Sequence, residues 1–250
     1  MRLLSVLFLL LTASAFALSD AELDATGHRV WMNECGGTRD GLTSWNSGEN
    51  FASLGIGHFI WYPKGASGPF EESFPKLVKF FAENGQRVPI WMKDGCPWLS
   101  RAAFQADARS SRMIELRDLL AATVRLQSHF LALRMREALP KMLEAAPAAQ
   151  RANVKAQFDR LAGSGAGTFA LIDYVNFKGE GTKETERYRG EGWGLLQVLA
   201  GMSGSGSGAP REFGEIAAHV LSRRVQNAPA DRHEEKWLAG WKSRVRSYGE

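Results

Sequence analysis

Cysteine is scarce in this 250-residue chain, which has only Cys35 and Cys96. Two cysteines without a Cys-x-x-Cys pair exclude a cysteine-ligated zinc site and a disulfide-dense mini-protein. There is no Lys/Arg-rich run, so the electrostatic footprint of a nucleic-acid binder is missing. Past the first residues no stretch of 18 uninterrupted apolar residues occurs, so no membrane-spanning helix is expected in the mature chain. No internal repeat is present, which removes solenoids and propellers. A content of 44% hydrophobic and 23% charged residues excludes a disordered tail or a collagen-like fibre.

What the chain does have is an aromatic load, eight Trp and 14 Phe, and a net charge of +4. Aromatics build cores or line grooves for flat substrates such as sugar chains. A mild positive excess favours anionic polymers, whether nucleic acid, membrane surface or bacterial wall, without choosing among them. The N-terminus reads as a secretory signal peptide. Met1-Arg2 is the charged start, Leu3 to Leu11 the apolar stretch, and Ala15-Phe16-Ala17 the cleavage site. Cleavage would leave 18–250 as a single domain with net charge +3, placed in the periplasm or outside the cell. In that oxidising compartment Cys35 and Cys96 are expected to pair. The closed loop of about 60 residues would be worth about 4 kcal/mol in the chain-entropy treatment.

The fold class expected is α+β, mostly helical with one small hairpin. Ser19-Asp20-Ala21-Glu22 is a capping box that starts a helix near residue 20 and leaves Glu34 at its end. Gly36, Gly37 and Gly41 stop it. Residues 42–62, rich in Thr, Trp, Phe, Ile and Tyr around the turn Asn46-Ser47-Gly48, predict a β-hairpin. Gly55 and Gly57 mark a bulge or a close backbone approach within it. A helix is predicted from about 71 to Asn84-Gly85, and helical sequence over 100–146 with a kink or restart at Pro140. More helices are expected at about 151–162, 167–176, 191–201, 210–227 and 231–248. The repeat Ser203 to Gly208 is expected to be a flexible surface loop.

Chemistry concentrates at Asn33-Glu34-Cys35-Gly36-Gly37 and Ser53-Leu54-Gly55-Ile56-Gly57-His58. A carboxylate at a helix C-terminus, among aromatics, is expected to have a raised pKa. A general acid for glycoside cleavage needs that. Trp45, Trp61 and Tyr62 nearby are either sugar-stacking groups or core.

Glu34 followed by Ser53-Leu54-Gly55-Ile56-Gly57-His58 resembles the phage-type lysozymes and endolysins of the lysozyme superfamily. Their catalytic Glu ends the first long helix, and a hairpin then carries Thr-x-Gly-x-Gly-His. Residues 170–181 are similar to an endolysin helix with its Phe-Asn-x-Gly segment. Residues 192–198 are similar to the Gly-Leu-Met-Gln segment of goose-type lysozymes and lytic transglycosylases. Trp237 to Arg244 resembles their closing helix, while 84–165 has no counterpart. The resemblance implies a lysozyme-like domain of two lobes about a groove. It further implies a secreted, monomeric peptidoglycan hydrolase with Glu34 as general acid and no cofactor or metal.

The family's second carboxylate, an Asp in the hairpin, is replaced by Ser47. Glu49 is the candidate in its stead, with Asp40 behind it. If neither reaches, the site holds one acid, as in transglycosylases. Ser53, His58, Asn176 and Gln197 are the implied substrate-binding residues. His58 is also the implied buttress of the strand beside the acid, and Asn176 and Gln197 otherwise satisfy local partners. The alternatives to a lysozyme are a lytic transglycosylase, a chitinase- or chitosanase-like hydrolase, and a non-catalytic wall-binding protein.

Overall fold

A computed structural model describes residues 19–250. The expected signal peptide, 1–17, lies outside them. The first helix, α1 (Asp20–Cys35), starts as expected. The Ser19 hydroxyl accepts from the Glu22 backbone amide, and the Glu22 carboxylate accepts from the Ser19 amide at 2.9 Å. It ends at Gly36, whose φ of 61° is the left-handed conformation that closes a helix. Glu34 therefore sits in the last turn. A salt-bridge cluster of Arg125 with Asp20 and Asp24 ties α1 to a later helix.

The expected hairpin is a three-stranded antiparallel sheet instead. β1 (Thr43–Ser44) pairs with β2 (Ala52–Leu54), which pairs with β3 (Phe59–Trp61). Thr43 faces Leu54 and Leu54 faces Phe59 in register. Gly55 and Gly57 fall in the turn between β2 and β3, not within a strand. Gly55 has φ 72°, and a Cβ there would meet Gln127 Oε1 at 2.4 Å, so the close backbone approach is real.

The rest is helical: α2 (Phe74–Glu83), α3 (Arg101–Ala106), α4 (Ser111–Ala122), α5 (Val124–Ala145), α6 (Ala148–Ala162) and α7 (Gly165–Lys178). Two short strands follow, β4 (Arg187–Tyr188) and β5 (Glu191–Gly192), then α8 (Leu195–Gly201), α9 (Ala209–Asn227) and α10 (Glu235–Arg246). Pro140 stays inside α5 and breaks nothing. The stretch breaks instead at 107–110, between α3 and α4, and at Thr123, whose hydroxyl donates to the Leu119 carbonyl at 2.7 Å and competes with the helix ladder. The segment 191–201 divides into a two-residue strand and a helix. The 203–208 loop is pinned at its start, where the Ser203 and Gly204 amides donate to Glu212 Oε1 at 2.8 and 2.9 Å.

One continuous hydrophobic core runs from Val30 to Tyr248, so no boundary divides the buried interior. Among the described residues no helix is long and apolar enough to cross a membrane. The expected Cys35–Cys96 disulfide does not form. Both thiols are buried and free. Cys35, ending α1, donates to the Gly55 carbonyl, and Cys96, bridged to Pro63, donates to the Trp98 carbonyl, each at 3.5 Å. Each sulfur is thus held by a different carbonyl, one in the β2–β3 turn and one after residue 96. Burial pushes the Cys35 thiol up to about 12 and the Cys96 thiol up to about 11, so neither is a ready thiolate.

Candidate active site

Glu34 is where three separate parts of the chain meet. The last turn of α1 supplies the carboxylate, the β2–β3 turn supplies His58, and α10 supplies Arg244. His58 has φ 49°, a left-handed backbone that histidine adopts more readily than most residues. The turn closes with its amide donating to the Gly55 carbonyl at 3.2 Å. His58 Nδ1 then stands 3.4 Å from Glu34 Oε2. Buried Gln127 of α5 fixes this turn from beneath. Its Oε1 accepts from the Ile56 amide at 2.9 Å, and its Nε2 donates to the Leu120 carbonyl at 2.7 Å.

Arg244 Nη2 donates to Glu34 Oε1 at 2.6 Å. The same guanidinium forks onto Asp173 of α7, with Nε to Oδ2 and Nη2 to Oδ1 both at 2.8 Å. Asp173 has no exposed surface, and it also accepts from Tyr248 Oη at 2.5 Å and Asn33 Nδ2 at 3.2 Å. A buried charge persists only when paired and fully hydrogen-bonded, and Asp173 meets both conditions. The fork locks the Arg244 rotamer, so Nη2, shared between the two acids, is presented to Glu34 in one geometry.

The electrostatic consequence reverses the expectation for Glu34. Burial alone would raise its pKa. The His58 hydrogen bond and the Arg244 charge outweigh that and hold the carboxyl at about 2. In the unliganded protein Glu34 is an anion at every pH of ordinary use. The helix C-terminus and the burial read from the sequence are real, but the His58 hydrogen bond and the Arg244 charge together outweigh them.

The other residues singled out in the sequence divide. Ser53 is buried in the middle strand, opposite Ile60 and Ser44. Glu49 is turned back on its own loop, where it accepts from Asn46 Nδ2 at 3.1 Å, and its carbonyl accepts from Trp45 Nε1 at 2.9 Å. Asp40 faces Arg117 at 3.2 Å. Neither acid touches Glu34, His58 or Arg244. The Gln197 amide is spent on the backbone, accepting from the Gly194 amide at 2.9 Å and donating to the Gly181 carbonyl at 3.0 Å. Asn176 is half-buried on α7, one turn beyond Asp173. Trp45, Trp61 and Tyr62 are core, at 6, 1 and 3% exposure.

Three charged residues near Glu34 are not singled out by the sequence: Asp173, Arg244 and Lys178. The first has a sequence signal, a lone acid inside the apolar run Phe169 to Val175, where a buried charge demands a partner. Lys178 ends α7 with its ammonium group 3.3 Å from the Trp241 ring centroid and 3.8 Å from that of Phe177. It has no carboxylate partner among the described residues. Burial, together with the nearby Arg224 charge, lowers its pKa to about 6. Arg224 is itself clamped by buried Glu234, with Nε and Nη2 donating at 2.8 and 2.7 Å.

Two depressions elsewhere, of about 200 Å³ beside Phe158 and about 410 Å³ beside His219 and Arg223, do not include Glu34. No group of His, Cys, Asp and Glu among the described residues is arranged to hold a metal. Comparison of the chain with family models, with curated proteins and with solved structures finds no match.

Proposed function

We propose that this chain is a secreted glycoside hydrolase with a lysozyme-like fold, cutting the glycan strand of peptidoglycan with Glu34 as general acid. The observation that carries this reading is the convergence on Glu34 of α1, the β2–β3 turn and α10. A single carboxylate is fixed there at the junction of a helix end and a small sheet. In chemical terms, an acid here protonates the glycosidic oxygen as it leaves. The oxocarbenium-like charge that develops on the sugar is then met by the carboxylate the donor becomes.

Such a donor must first acquire a proton. A sugar laid over Glu34 removes water from it, which favours the neutral form, and Arg244 keeps its fork on Asp173 whether or not Glu34 is charged. With Glu49 and Asp40 engaged elsewhere, attack comes from water or from the substrate's own hydroxyl, and the products tell which. Secretion, a monomeric state, a wall-glycan partner and the absence of any cofactor, nucleic acid or membrane partner belong to the same proposal.

A second reading has a specific observation in its favour. A carboxylate held at about 2 by two partners also suits a structural ion pair, and so a non-catalytic wall-binding protein. The deciding experiment is digestion of purified peptidoglycan by wild type and Glu34→Gln, followed by mass analysis. The hydrolase reading expects soluble fragments with reducing ends from wild type. It expects a loss of at least about 100-fold in the variant, with little change in melting temperature. Anhydro ends identify a transglycosylase instead. Binding to sacculi without release of fragments by wild type identifies a binding protein.

A further inference from the structure

Glu34 and His58 belong to different elements, yet both elements are seated on one stretch of α5. Gly27 of α1 lies against it, where an added Cβ would meet Ser128 Oγ and, at 2.8 Å, Val124 Cγ1. Gln127 and Leu131, spaced i, i+4 and so on one face of the helix, receive the β2–β3 turn. A Cβ added at Gly57 would meet Leu131 Cδ2 at 3.1 Å, and Gln127 Oε1 accepts from the Ile56 amide at 2.9 Å. Gly55, with φ 72°, leaves no room for a side chain beside that oxygen. The helix that ends in Glu34 and the turn that carries His58 thus take their positions from the same segment, 124–131.

Gln127 is fully buried, and both ends of its carboxamide are used. Nε2 can only donate, and it donates to the Leu120 carbonyl at 2.7 Å and to Thr123 Oγ1 at 3.2 Å. The Ile56 amide can also only donate, so it must meet Oε1. One of the two flips of the carboxamide satisfies both neighbours, and the other satisfies neither. The acceptor on the helical side is there because α4 stops and α5 restarts at Thr123. In an unbroken helix the amide of residue 124 would take the Leu120 carbonyl. The break therefore orients Gln127, and Gln127 holds the Ile56 amide. Two residues on, His58 closes the turn on the Gly55 carbonyl at 3.2 Å and brings Nδ1 to 3.4 Å from Glu34. The whole device lies in 84–165 on its helical side, the part of the chain with no counterpart in the lysozyme resemblance.

We infer that Gln127 is a positioning residue for Glu34: oriented by the α4–α5 break, it holds the Ile56 amide and through the β2–β3 turn sets His58 Nδ1 against the Glu34 carboxylate. The inference rests on Glu34 as the reacting group and adds a buried amide that keeps its partner in place. The other charged groups that act on Glu34 come from elsewhere, Arg244 from α10 and, at longer range, Lys178 from α7. The neighbouring Cys35 thiol, donating to the Gly55 carbonyl, is kept neutral by burial. A change at Gln127 therefore reaches Glu34 through His58 and leaves the Arg244 fork on Asp173 as it is.

The test reads Glu34 directly and needs no substrate. The titration midpoint of the Glu34 side-chain carbon is measured by NMR in wild type, Gln127→Met, Gln127→Glu and Leu161→Ala. Gln127→Met keeps the length of the side chain and loses both hydrogen bonds. The turn slackens, the His58 contact weakens, and the midpoint should rise by about one pH unit. A neutral carboxyl offers the same acceptor and donor as the carboxamide. Gln127→Glu should therefore keep the wild-type midpoint, which falls at a pH where its buried acid is protonated. Leu161→Ala empties a core site on α6; it should lower the melting temperature and leave the midpoint in place. If Gln127→Met does not fold, Gln127→Glu decides. Its His58 ring-nitrogen shifts should match wild type at about pH 5 and depart from it at about pH 10, where the ionised acid no longer donates to Leu120. A wild-type midpoint in Gln127→Met, an equal rise in Leu161→Ala, or His58 shifts that match wild type at both pH values overturns the positioning role. Failure of the cleavage reading shows in a different measurement, undiminished lysis by Glu34→Gln, so the two cannot be confused.

Discussion

Two aromatic clusters, one on the sheet and one among the C-terminal helices, differ in what lies on their faces. In the sheet cluster ring meets ring: Trp61 packs on Phe74 at 4.7 Å and on Trp91 and Trp98 at 6.2 and 6.1 Å. In the helical cluster the faces carry cations: Lys178 over Trp241 and Phe177, Arg224 over Trp193 at 4.1 Å, and Lys236 over Trp237. The first arrangement excludes water and stabilises the fold. The second keeps charge close to its rings, of which Trp237 is exposed and Trp193 is core. Aromatic count therefore says nothing about which rings are open: Trp61 is core at 1% exposure, while Trp237 is 48% exposed.

The comparison breaks most readily at Trp61. Trp61→Ala should cost about 3–5 kcal/mol, the usual price of emptying a buried aromatic site, read from the denaturant midpoint. Asp173→Ala should cost a comparable 3–5 kcal/mol or so, since it leaves the Arg244 charge without the partner that fixes it. A loss under about 1 kcal/mol in either would mean the site tolerates its removal, contrary to the packing and pairing described.

Lys178→Met sharpens the contrast from the helical side, and its sign is opposite. The folded-state pKa of Lys178 lies near 6, below the 10.5 of an unfolded lysine. Between those two values the unfolded chain holds a proton that the folded chain lacks. Wild-type stability should therefore fall as pH drops from 10.5 towards 6, with no further loss from this group below 6. The variant removes the penalty, so its melting temperature should exceed that of wild type at pH 7 and approach it above pH 10.5. A lower melting temperature at pH 7 would show that the ring faces favour the charged ammonium more than burial disfavours it. Trp237→Ala is the smallest change, within about 0.5 kcal/mol of wild type, because an exposed ring contributes little to the core.

The parts of this molecule that sequence made legible are the local ones. Ser19 with Glu22 starts α1 and Gly36 stops it, because capping is settled within four residues. The β2–β3 turn is not among them, since Gly55 and Gly57 read as a bulge or close approach inside one strand and instead form the turn between two. Thr123 ended a helix where Pro140 was expected to, because a proline's lost amide is tolerated within a long packed helix while a threonine hydroxyl drew a carbonyl away. The two-residue strands β4 and β5 are too short for any alternation to appear. The electrostatics of Glu34 was the least legible part. Besides His58, its charged partner Arg244 lies 210 residues away, and the acid that fixes that partner is 71 residues from it. Helix-end and burial effects act locally and point to a raised pKa, while the His58 hydrogen bond and the long-range Arg244 charge together reverse them. The cysteines teach the same lesson, since compartment and spacing suggested a bond and the fold gave each thiol its own carbonyl.

The central claim is that Glu34 is an anion in the free protein and becomes a proton donor under a bound glycan. Titration of the Glu34 side-chain carbon by NMR, with and without a saturating oligosaccharide that wild type does not cleave, tests it directly. The free protein should give a midpoint of about 2, and the complex a midpoint raised into or above the ordinary carboxylate range. A midpoint that stays near 2 in the complex would contradict the claim and leave Glu34 as half of a structural ion pair.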